Sequence, residues 1–192
     1  GVDASGLEVN GFFDLLDLTM NQKASIRGEN EVVAKGIPVG ENLMLYGEKR
    51  LVMINQQLST VWEKKFEEPA ITAANVINNK YPVFAHIDTG VLNRENRYIT
   101  NIEILEPDSS VKNSFVVNSL VSSIASYGRT AALTAGYEVL FINQHGEIID
   151  TYTALSEITD ICFASEDICY VMSGGVIERV KVKTGSKILG IF

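Results

Sequence analysis

The chain is poor in the residues that most often build metal sites and disulfide frameworks. Its 192 residues include two cysteines, two histidines, four prolines and one tryptophan. Two cysteines without a Cys-x-x-Cys spacing do not supply the ligands of a structural zinc site, so we expect no metal and no metal cofactor.

No apolar run reaches the ~18 residues that predict a membrane-spanning helix. The segment that starts at Gly1 lacks the basic and apolar regions of a signal peptide, and it leaves the localisation open.

Basic residues are outnumbered by acidic ones. Lysine and arginine total 16 against 24 aspartates and glutamates, which gives a formal net charge of −8. A surface that binds nucleic acid needs clustered Lys and Arg to neutralise phosphates, and here these residues are scattered. The acidic balance also disfavours an anionic membrane surface. With 46% hydrophobic residues and 21% charged residues, the composition is that of a folded globular protein.

Asn-Gln recurs between apolar, β-rich segments, and this recurrence is the main structural signal. The pairs are Asn21-Gln22, Asn55-Gln56 and Asn143-Gln144, and two weaker copies of the same pattern have their turns near residues 106 and 184. The turns are therefore about 34 to 51 residues apart, a spacing typical of repeat architectures. Each copy reads as strands separated by turns, so we predict an all-β fold of repeated four-stranded antiparallel units. Such units form a β-propeller of four to five blades or part of a larger one.

The repeat divides the chain into five units within a single β-repeat domain that covers 1–192. The predicted units are 1–40, 41–69, 70–119, 120–155 and 156–192. In the clearest copy, 121–150, turns are expected at 127–129, 135–136 and 144–146, and in the last copy at 165–167, 173–175 and 183–185. Gly146 and Gly185 are expected to adopt positive φ in these turns.

The two cysteines lie on either side of the turn predicted at Ser165-Glu166. Cys162 and Cys169 would then face each other across a β-hairpin. A cross-strand disulfide is compatible with that arrangement, but spacing alone does not establish one. Two buried free thiols are the favoured interpretation. Their oxidation state stays open at this point.

Two phrases resemble the repeats of quinoprotein-like (PQQ-like) β-propellers. The segment Leu51–Phe66, LVMINQQLSTVWEKKF, has their strand, short turn and Trp-containing strand, and Tyr137–Ile149 fits the same pattern without the Trp. The resemblance covers about 41–192 and is strongest to the non-enzymatic, extracytoplasmic members. It implies a propeller without a cofactor, because cofactor-using members carry many Trp-docking repeats and this chain has Trp62 alone. We expect Trp62 to pack between blades.

The sequence Asp88-Thr89-Gly90 after an apolar strand is the motif closest to a catalytic one. Aspartic proteases use two such carboxylates that share a proton. Here the motif occurs once, and Val91 follows it where those enzymes have a small residue. An aspartic-protease-like hydrolase that uses Asp88 is therefore an alternative to a non-catalytic binding or scaffold module. His86 would serve as an acid or base beside Asp88, or lie as a solvent-facing loop histidine, which is the favoured interpretation.

The polar segment 86–97 departs from the repeat and is the predicted binding site. Insertions in repeat proteins tend to lie on one face, often the binding face. The function predicted from these features is a non-catalytic binding or scaffold module for a protein or cell-envelope partner. A structural surface component is a further alternative, and open blade edges would allow a homodimer. The predicted binding residues are His86, Asp88, Asn93, Arg94 and Arg97.

Overall fold

The computed structural model describes residues 11–16, 22–28, 33–68, 70–92 and 98–183, and the side chains of 35–68, 70–88 and 98–183. Every regular element in these ranges is a β-strand, which confirms the all-β prediction. None of the described residues forms a helix long and apolar enough to cross a membrane. The strands are β1 (Gly11–Leu16), β2 (Gln22–Gly28), β3 (Val33–Val39), β4 (Asn42–Gly47), β5 (Arg50–Ile54), β6 (Thr60–Lys65), β7 (Ile71–Ile77), β8 (Tyr81–Leu92), β9 (Tyr98–Leu105), β10 (Val111–Val117), β11 (Val121–Tyr127), β12 (Thr130–Ala135), β13 (Glu138–Asn143), β14 (Ile148–Thr153), β15 (Ile158–Ser165), β16 (Ile168–Ser173) and β17 (Val176–Lys181).

The strands form sheets in which each strand pairs with its neighbours in sequence. The described residues give the four-stranded sheets β3–β6, β7–β10 and β11–β14, the three-stranded sheet β15–β17 and the two-stranded sheet β1–β2. The strand pairs formed by the described residues of these sheets are antiparallel. A four-stranded antiparallel meander is the blade of a β-propeller, so the repeat seen in the sequence corresponds to the blade.

The chain divides into two compact units, Gly1–Ile71 and Thr72–Phe192. In the first unit, the sheet β3–β6 begins at Val33. The strand Val33–Val39, which the sequence assigned to the unit 1–40, therefore belongs to the same sheet as strands of the unit 41–69. Leu51 and Met53 are buried on one face of β5. Trp62 lies in β6, the fourth strand of this sheet, and is half-buried.

The second unit is built around the sheet β11–β14, which is covered on both faces. All six residues of its strand β12 are buried. Alternate side chains of β12 point to opposite faces, so two separate apolar clusters form. Three of the six β12 residues are alanines, which allow the neighbouring sheets to approach closely. The cluster shared with β7–β10 includes Ala131, Leu133, Ile142, Val83, Ile102 and Ile104, and the cluster shared with β15–β17 includes Ala132, Val139, Phe141, Ile161, Cys169 and Val171.

One type of turn explains the recurring asparagine. It joins the third and fourth strands of three sheets, and its first residue donates its backbone N–H to the carbonyl four residues later: Asn55 to Ser59 at 3.0 Å, Glu106 to Ser110 at 2.8 Å and Asn143 to Glu147 at 3.0 Å. The fourth residue is left-handed in each case, with φ of 60° at Leu58, 73° at Ser109 and 78° at Gly146. This is the three-residue hairpin loop with a bulge. The predicted turns near 21 and 184, and Gly185, lie outside the described residues.

The side chain of the asparagine closes the same turn. Asn143 Oδ1 accepts the backbone N–H groups of His145 at 2.9 Å and Glu147 at 3.1 Å. Asn55 Oδ1 accepts the equivalent pair, from Gln57 at 3.0 Å and Ser59 at 2.9 Å. In the third copy, which starts at Glu106, the carboxylate of Asp108 accepts the N–H of Ser110 at 3.0 Å. The asparagine therefore recurs because its side-chain oxygen satisfies backbone donors that the turn leaves unpaired.

The two cysteines are free and lie on opposite faces of their hairpin. The register pairs Cys162 with Tyr170 and Cys169 with Phe163, so the two thiols are offset by one residue across the hairpin. Cys162 is exposed and Cys169 is buried, which excludes the cross-strand disulfide. The prediction of a buried thiol is confirmed for Cys169 and wrong for Cys162. Burial raises the pKa of Cys169 to about 12, because a thiolate is poorly solvated among apolar side chains.

Candidate functional site

The polar segment 86–97 begins inside a strand. β8 is 12 residues long and extends beyond the sheet as a hairpin with β9, whose last described pair is Leu92 with Tyr98. Residues 86–92 therefore continue the strand, and Asp88-Thr89-Gly90 is strand and not turn. The connection 93–97, with the predicted binding residues Asn93, Arg94 and Arg97, lies outside the described residues.

His86 is a buried strand residue. Its exposed fraction is 9%, its Nε2 lies 3.3 Å from Glu103 Oε1, and its ring stacks on Phe84 at 5.5 Å between centroids. The interpretation as a solvent-facing loop histidine is therefore wrong. Alternation would place His86 and Asp88 on the same face of β8, but Glu103, on the neighbouring strand, is the carboxylate that His86 contacts.

Asp88 is exposed and forms no carboxylate pair in the described residues. Its Oδ2 accepts a hydrogen bond from Asn101 Nδ2 at 3.5 Å. A protease dyad requires a second carboxylate close enough to share a proton, and an amide does not replace it. Among the described residues, no group of three or more His, Cys, Asp or Glu side chains could hold a metal ion.

The extended hairpin identifies one end of the sheets in the second unit, which we call the hairpin end. Strand direction alternates in a meander, so the β10–β11, β12–β13, β14–β15 and β16–β17 connections lie at this end as well. Contacts between sheets confirm the alignment. Ile158 N, at the start of β15, donates to Gly136 O in the β12–β13 connection at 3.0 Å. A Cβ added to Gly174 in the β16–β17 connection would lie 2.8 Å from Ser156 Oγ in the β14–β15 connection.

Large apolar side chains are exposed along the hairpin end. We call this set the apolar row, and Leu155 is its most exposed member at 98%. Each member occupies a connection or the first residue of a strand, where it is not drawn into a core. The signal in the sequence is a leucine between Ala154 and Ser156, in a segment that the repeat assigns to a connection. The row consists of Tyr98 at 46% exposure, Leu120 at 38%, Tyr137 at 57%, Leu155 at 98% and Val176 at 57%.

Charge is distributed unevenly along the strands of the second unit. Four exposed acidic residues belong to the hairpin end: Asp88, Glu138, Glu157 and Asp160. The described lysines and arginines of this unit lie elsewhere. Arg179 is in the middle of β17, and the others are at the opposite end: Lys80, Lys112, Arg129, Lys181 and Lys183.

The first unit has a small pocket on the sheet β3–β6. Its volume is about 210 Å³, and it is lined by Leu45, Val52, Ile54 and the ion pairs at its rim. Arg50 Nη1 lies 3.3 Å from Glu63 Oε1, and Lys65 Nζ lies 3.2 Å from Glu63 Oε2. The pocket is smaller than the ~300 Å³ at which small-molecule sites begin, and its charges are paired. The hairpin end is therefore the stronger candidate.

Comparison with known proteins identifies the fold. No family model matches the chain, and no curated protein sequence matches it. Among solved structures, the chain is similar to the Pan2 WD40 domain of Neurospora crassa, with a TM-score of 0.64 and 12% identity over 84% of this chain and 49% of that one. A chain of the mitotic checkpoint complex gives a TM-score of 0.65 and 13% identity over 85% and 52%. KlAtg21, in complex with the coiled coil of AgAtg16, gives a TM-score of 0.73 and 10% identity over 95% and 63%.

These similarities confirm the β-propeller fold, because WD40 repeats form propeller blades. The chain spans about half the length of the first two of these structures. At such low identity the likeness defines the class of fold and not the activity.

Proposed function

We propose that the chain is a non-catalytic binding module of the β-propeller class that holds a protein partner at its hairpin end. The observation that carries this proposal is the apolar row, and above all the 98% exposure of Leu155. Exposing a large aliphatic side chain to water is unfavourable by roughly 1.5–3 kcal/mol relative to burying it. Rows of such side chains bordered by polar residues are typical of protein interaction sites.

The composition of the row favours a protein over a small molecule. Two of its five members, Tyr98 and Tyr137, are tyrosines, a residue type enriched in protein interfaces. The row lies on turns and strand ends, whereas small-molecule sites are concave. Two of the similar propellers, those of the mitotic checkpoint complex and of KlAtg21, were solved in complexes, which supports a protein partner.

The residues predicted from the sequence take different parts in this proposal. Asp88 is exposed at the hairpin end, and Asn93, Arg94 and Arg97 belong to the connection between β8 and β9, so we retain these four as partner-contacting residues. His86 is buried against Glu103 and would act by fixing that carboxylate. The hydrolase alternative receives no support from Asp88, whose partner is an amide.

The finer expectations from the quinoprotein-like resemblance stay part of the proposal. They are membership of the extracytoplasmic, non-enzymatic propellers, a partner in the cell envelope, and a single domain over 1–192 made of five units. Repeats that carry no cofactor-docking tryptophan beyond Trp62 support the non-enzymatic type.

Site-specific photo-crosslinking tests the surface. A photoreactive amino acid replaces Leu155 in one variant and Ile148, 53% exposed at the opposite end, in the control variant. We expect a discrete cross-linked protein from position 155 and none from position 148. The protein identified in this way should then bind the purified chain, and Leu155→Asp should abolish binding where Ile148→Asp does not. Equal cross-linking from both positions, or binding that survives Leu155→Asp, would refute the proposed site.

Self-association is a second candidate function, favoured by the outer face of β15–β17. The inner face of this sheet packs on β11–β14 through Cys169 and Val171, whereas Tyr170 and Met172 are each 37% exposed and Ile177 is 65% exposed. Cys162 is exposed on the same face, since it pairs with Tyr170. We propose that a homodimer uses this face, where the sequence suggested open blade edges.

Analytical ultracentrifugation tests the dimer. Met172→Lys should convert a concentration-dependent dimer to a monomer, because it buries a charge in the interface. Val116→Lys, at a residue 57% exposed on another strand, should leave the dimer intact. A wild-type chain that stays monomeric at every concentration would rule the dimer out.

A further inference from the structure

We propose that the hairpin end recognises a segment of its partner that combines apolar side chains with lysine or arginine. This inference rests on the proposed function and adds the chemistry of the partner. It follows from the combination of two features at one end of the second unit, the apolar row and the acidic residues beside it.

The acidic residues are placed to contact whatever covers the row. Glu138 follows Tyr137 directly, and Glu157 is two residues from Leu155. Both side chains are exposed, and so are Asp88 and Asp160 farther along the same end. Among the described residues, none of these four carboxylates forms a salt bridge, whereas at the opposite end Glu106, Asp150 and Glu166 each pair with a described Lys or Arg.

The connection 93–97 alters this charge without reversing it. It contains Arg94, Glu95 and Arg97, so it adds one net positive charge to an end that holds four carboxylates. A partner with acidic side chains would meet like charges, which weakens binding and slows encounter. Nucleic acids and anionic lipid surfaces are disfavoured for the same reason.

The length of the row sets the size of the recognised segment. Its members lie on three successive sheets, from Tyr98 and Leu120 through Tyr137 and Leu155 to Val176. Stacked sheets are ~10 Å apart, so the row is about 20 Å long. An extended segment of about six residues or a helix of about 13 residues covers that distance.

Each kind of contact has a different role. Apolar side chains of the partner would cover the row and supply most of the affinity, since burial of apolar surface is the larger contribution. Basic side chains would meet the carboxylates at the rim, where exposed ion pairs contribute little to affinity and more to selection between partners. The arrangement of apolar centre and polar rim is the common one in protein interfaces.

Three synthetic peptides of equal length test the inference on the full chain. The first alternates short blocks of Leu and Lys, the second replaces Lys by Glu, and the third replaces Leu by Ser while keeping Lys. Fluorescence anisotropy measures their binding at low and high salt. We expect the Leu/Lys peptide to bind at least about tenfold more tightly than either of the others, and added salt to weaken it.

Substitutions in the chain assign the effect to this surface. Glu138→Gln combined with Glu157→Gln should weaken the Leu/Lys peptide by about three- to tenfold, as expected for two rim charges. Leu155→Ser should weaken it by about tenfold or more. Glu147→Gln at the opposite end is the matched control and should leave the affinity unchanged, since glutamine still accepts the hydrogen bond from Asn143 Nδ2.

The outcomes separate this inference from the proposed function. Binding of the Leu/Glu peptide as tight as that of the Leu/Lys peptide would overturn the charge preference. A cross-linked natural partner at position 155 would then still support the binding surface. Equal binding of the Ser/Lys peptide, or affinity unaffected by Leu155→Ser, would show a non-specific response to net charge and overturn the inference. Failure of all three peptides to bind would overturn it as well.

Discussion

Gly146 offers a quantitative test of how the turns fasten neighbouring sheets together. It is the left-handed residue of the turn that starts at Asn143, with φ of 78°. A Cβ added there would lie 2.5 Å from Asn113 Nδ2 and 3.1 Å from Ile104 Cδ1. Asn113 is held in place because its Nδ2 donates to His145 O at 2.6 Å, a contact between the sheets β7–β10 and β11–β14.

Gly146→Ala is expected to destabilise the protein by about 2–4 kcal/mol. A left-handed alanine costs ~1 kcal/mol. Moving Asn113 forfeits a hydrogen bond between sheets, which is worth ~1 kcal/mol. Ile104 is fully buried, so crowding it adds ~1 kcal/mol or more.

Gly175→Ala is the matched control for the backbone contribution. Gly175 has φ of 77°, and a Cβ added there would meet no atom within 4 Å. The control should therefore cost ~1 kcal/mol. Urea unfolding followed by circular dichroism measures both variants, with the change read from the midpoint at unchanged slope. Equal losses in the two variants would refute the role assigned to Asn113 and Ile104.

Three further predictions concern the other turns and the thiols. Ser109→Gly should stabilise the chain by up to ~1 kcal/mol in urea unfolding, because φ is 73° at Ser109; a loss of stability would contradict the strain argument. The pKa of Asp108 is lowered because the hydroxyl and amide of Ser110 donate to its carboxylate. The ionised Asp108 therefore contributes to the free energy of unfolding above its ordinary pKa of ~3.9, and this contribution is lost as the pH falls through the lowered pKa. Asp108→Asn should remove this loss from the acid side of the profile of unfolding free energy against pH. Native chain treated with iodoacetamide near neutral pH should be modified at exposed Cys162 and not at Cys169, whose pKa is about 12, until urea unfolds it; early labelling of Cys169 would contradict its burial.

The blade pattern was predictable from local signals that act within a few residues. In the turn that starts at Asn143, the asparagine and the left-handed Gly146 are both visible in the sequence, whereas the left-handed Leu58 and Ser109 of the other two turns give no such signal. Side-chain spacing between strands was less predictable. Cys162 and Cys169 flank a turn symmetrically in sequence, but register shifts between Ile158 and Asp160 and between Phe163 and Ser165 mark irregular pairing, and the thiols point to opposite faces.

The polar segment 86–97, predicted from the sequence as the binding site, and the apolar row belong to the same end of the second unit. The sequence did not point to the members of the row. His86 was wrongly expected to face solvent because its burial depends on contacts that the sequence does not show, with Glu103 on the neighbouring strand β9 and with the ring of Phe84 on its own strand. Leu155 was missed because the repeat assigns it to a connection but does not show that its side chain is left exposed to solvent.

Hydrogen exchange of the full chain with and without bound Leu/Lys peptide tests directly whether the hairpin end is the binding surface. Amides in a connection exchange fast unless they are hydrogen-bonded or covered, so a bound segment leaves a local footprint. We expect slower exchange in 118–120, 136–137, 154–157 and 174–176. Exchange in 78–80, 128–129 and 143–147 at the opposite end should not change. Protection at the opposite end, or none at the hairpin end under saturating peptide, would contradict binding at the hairpin end.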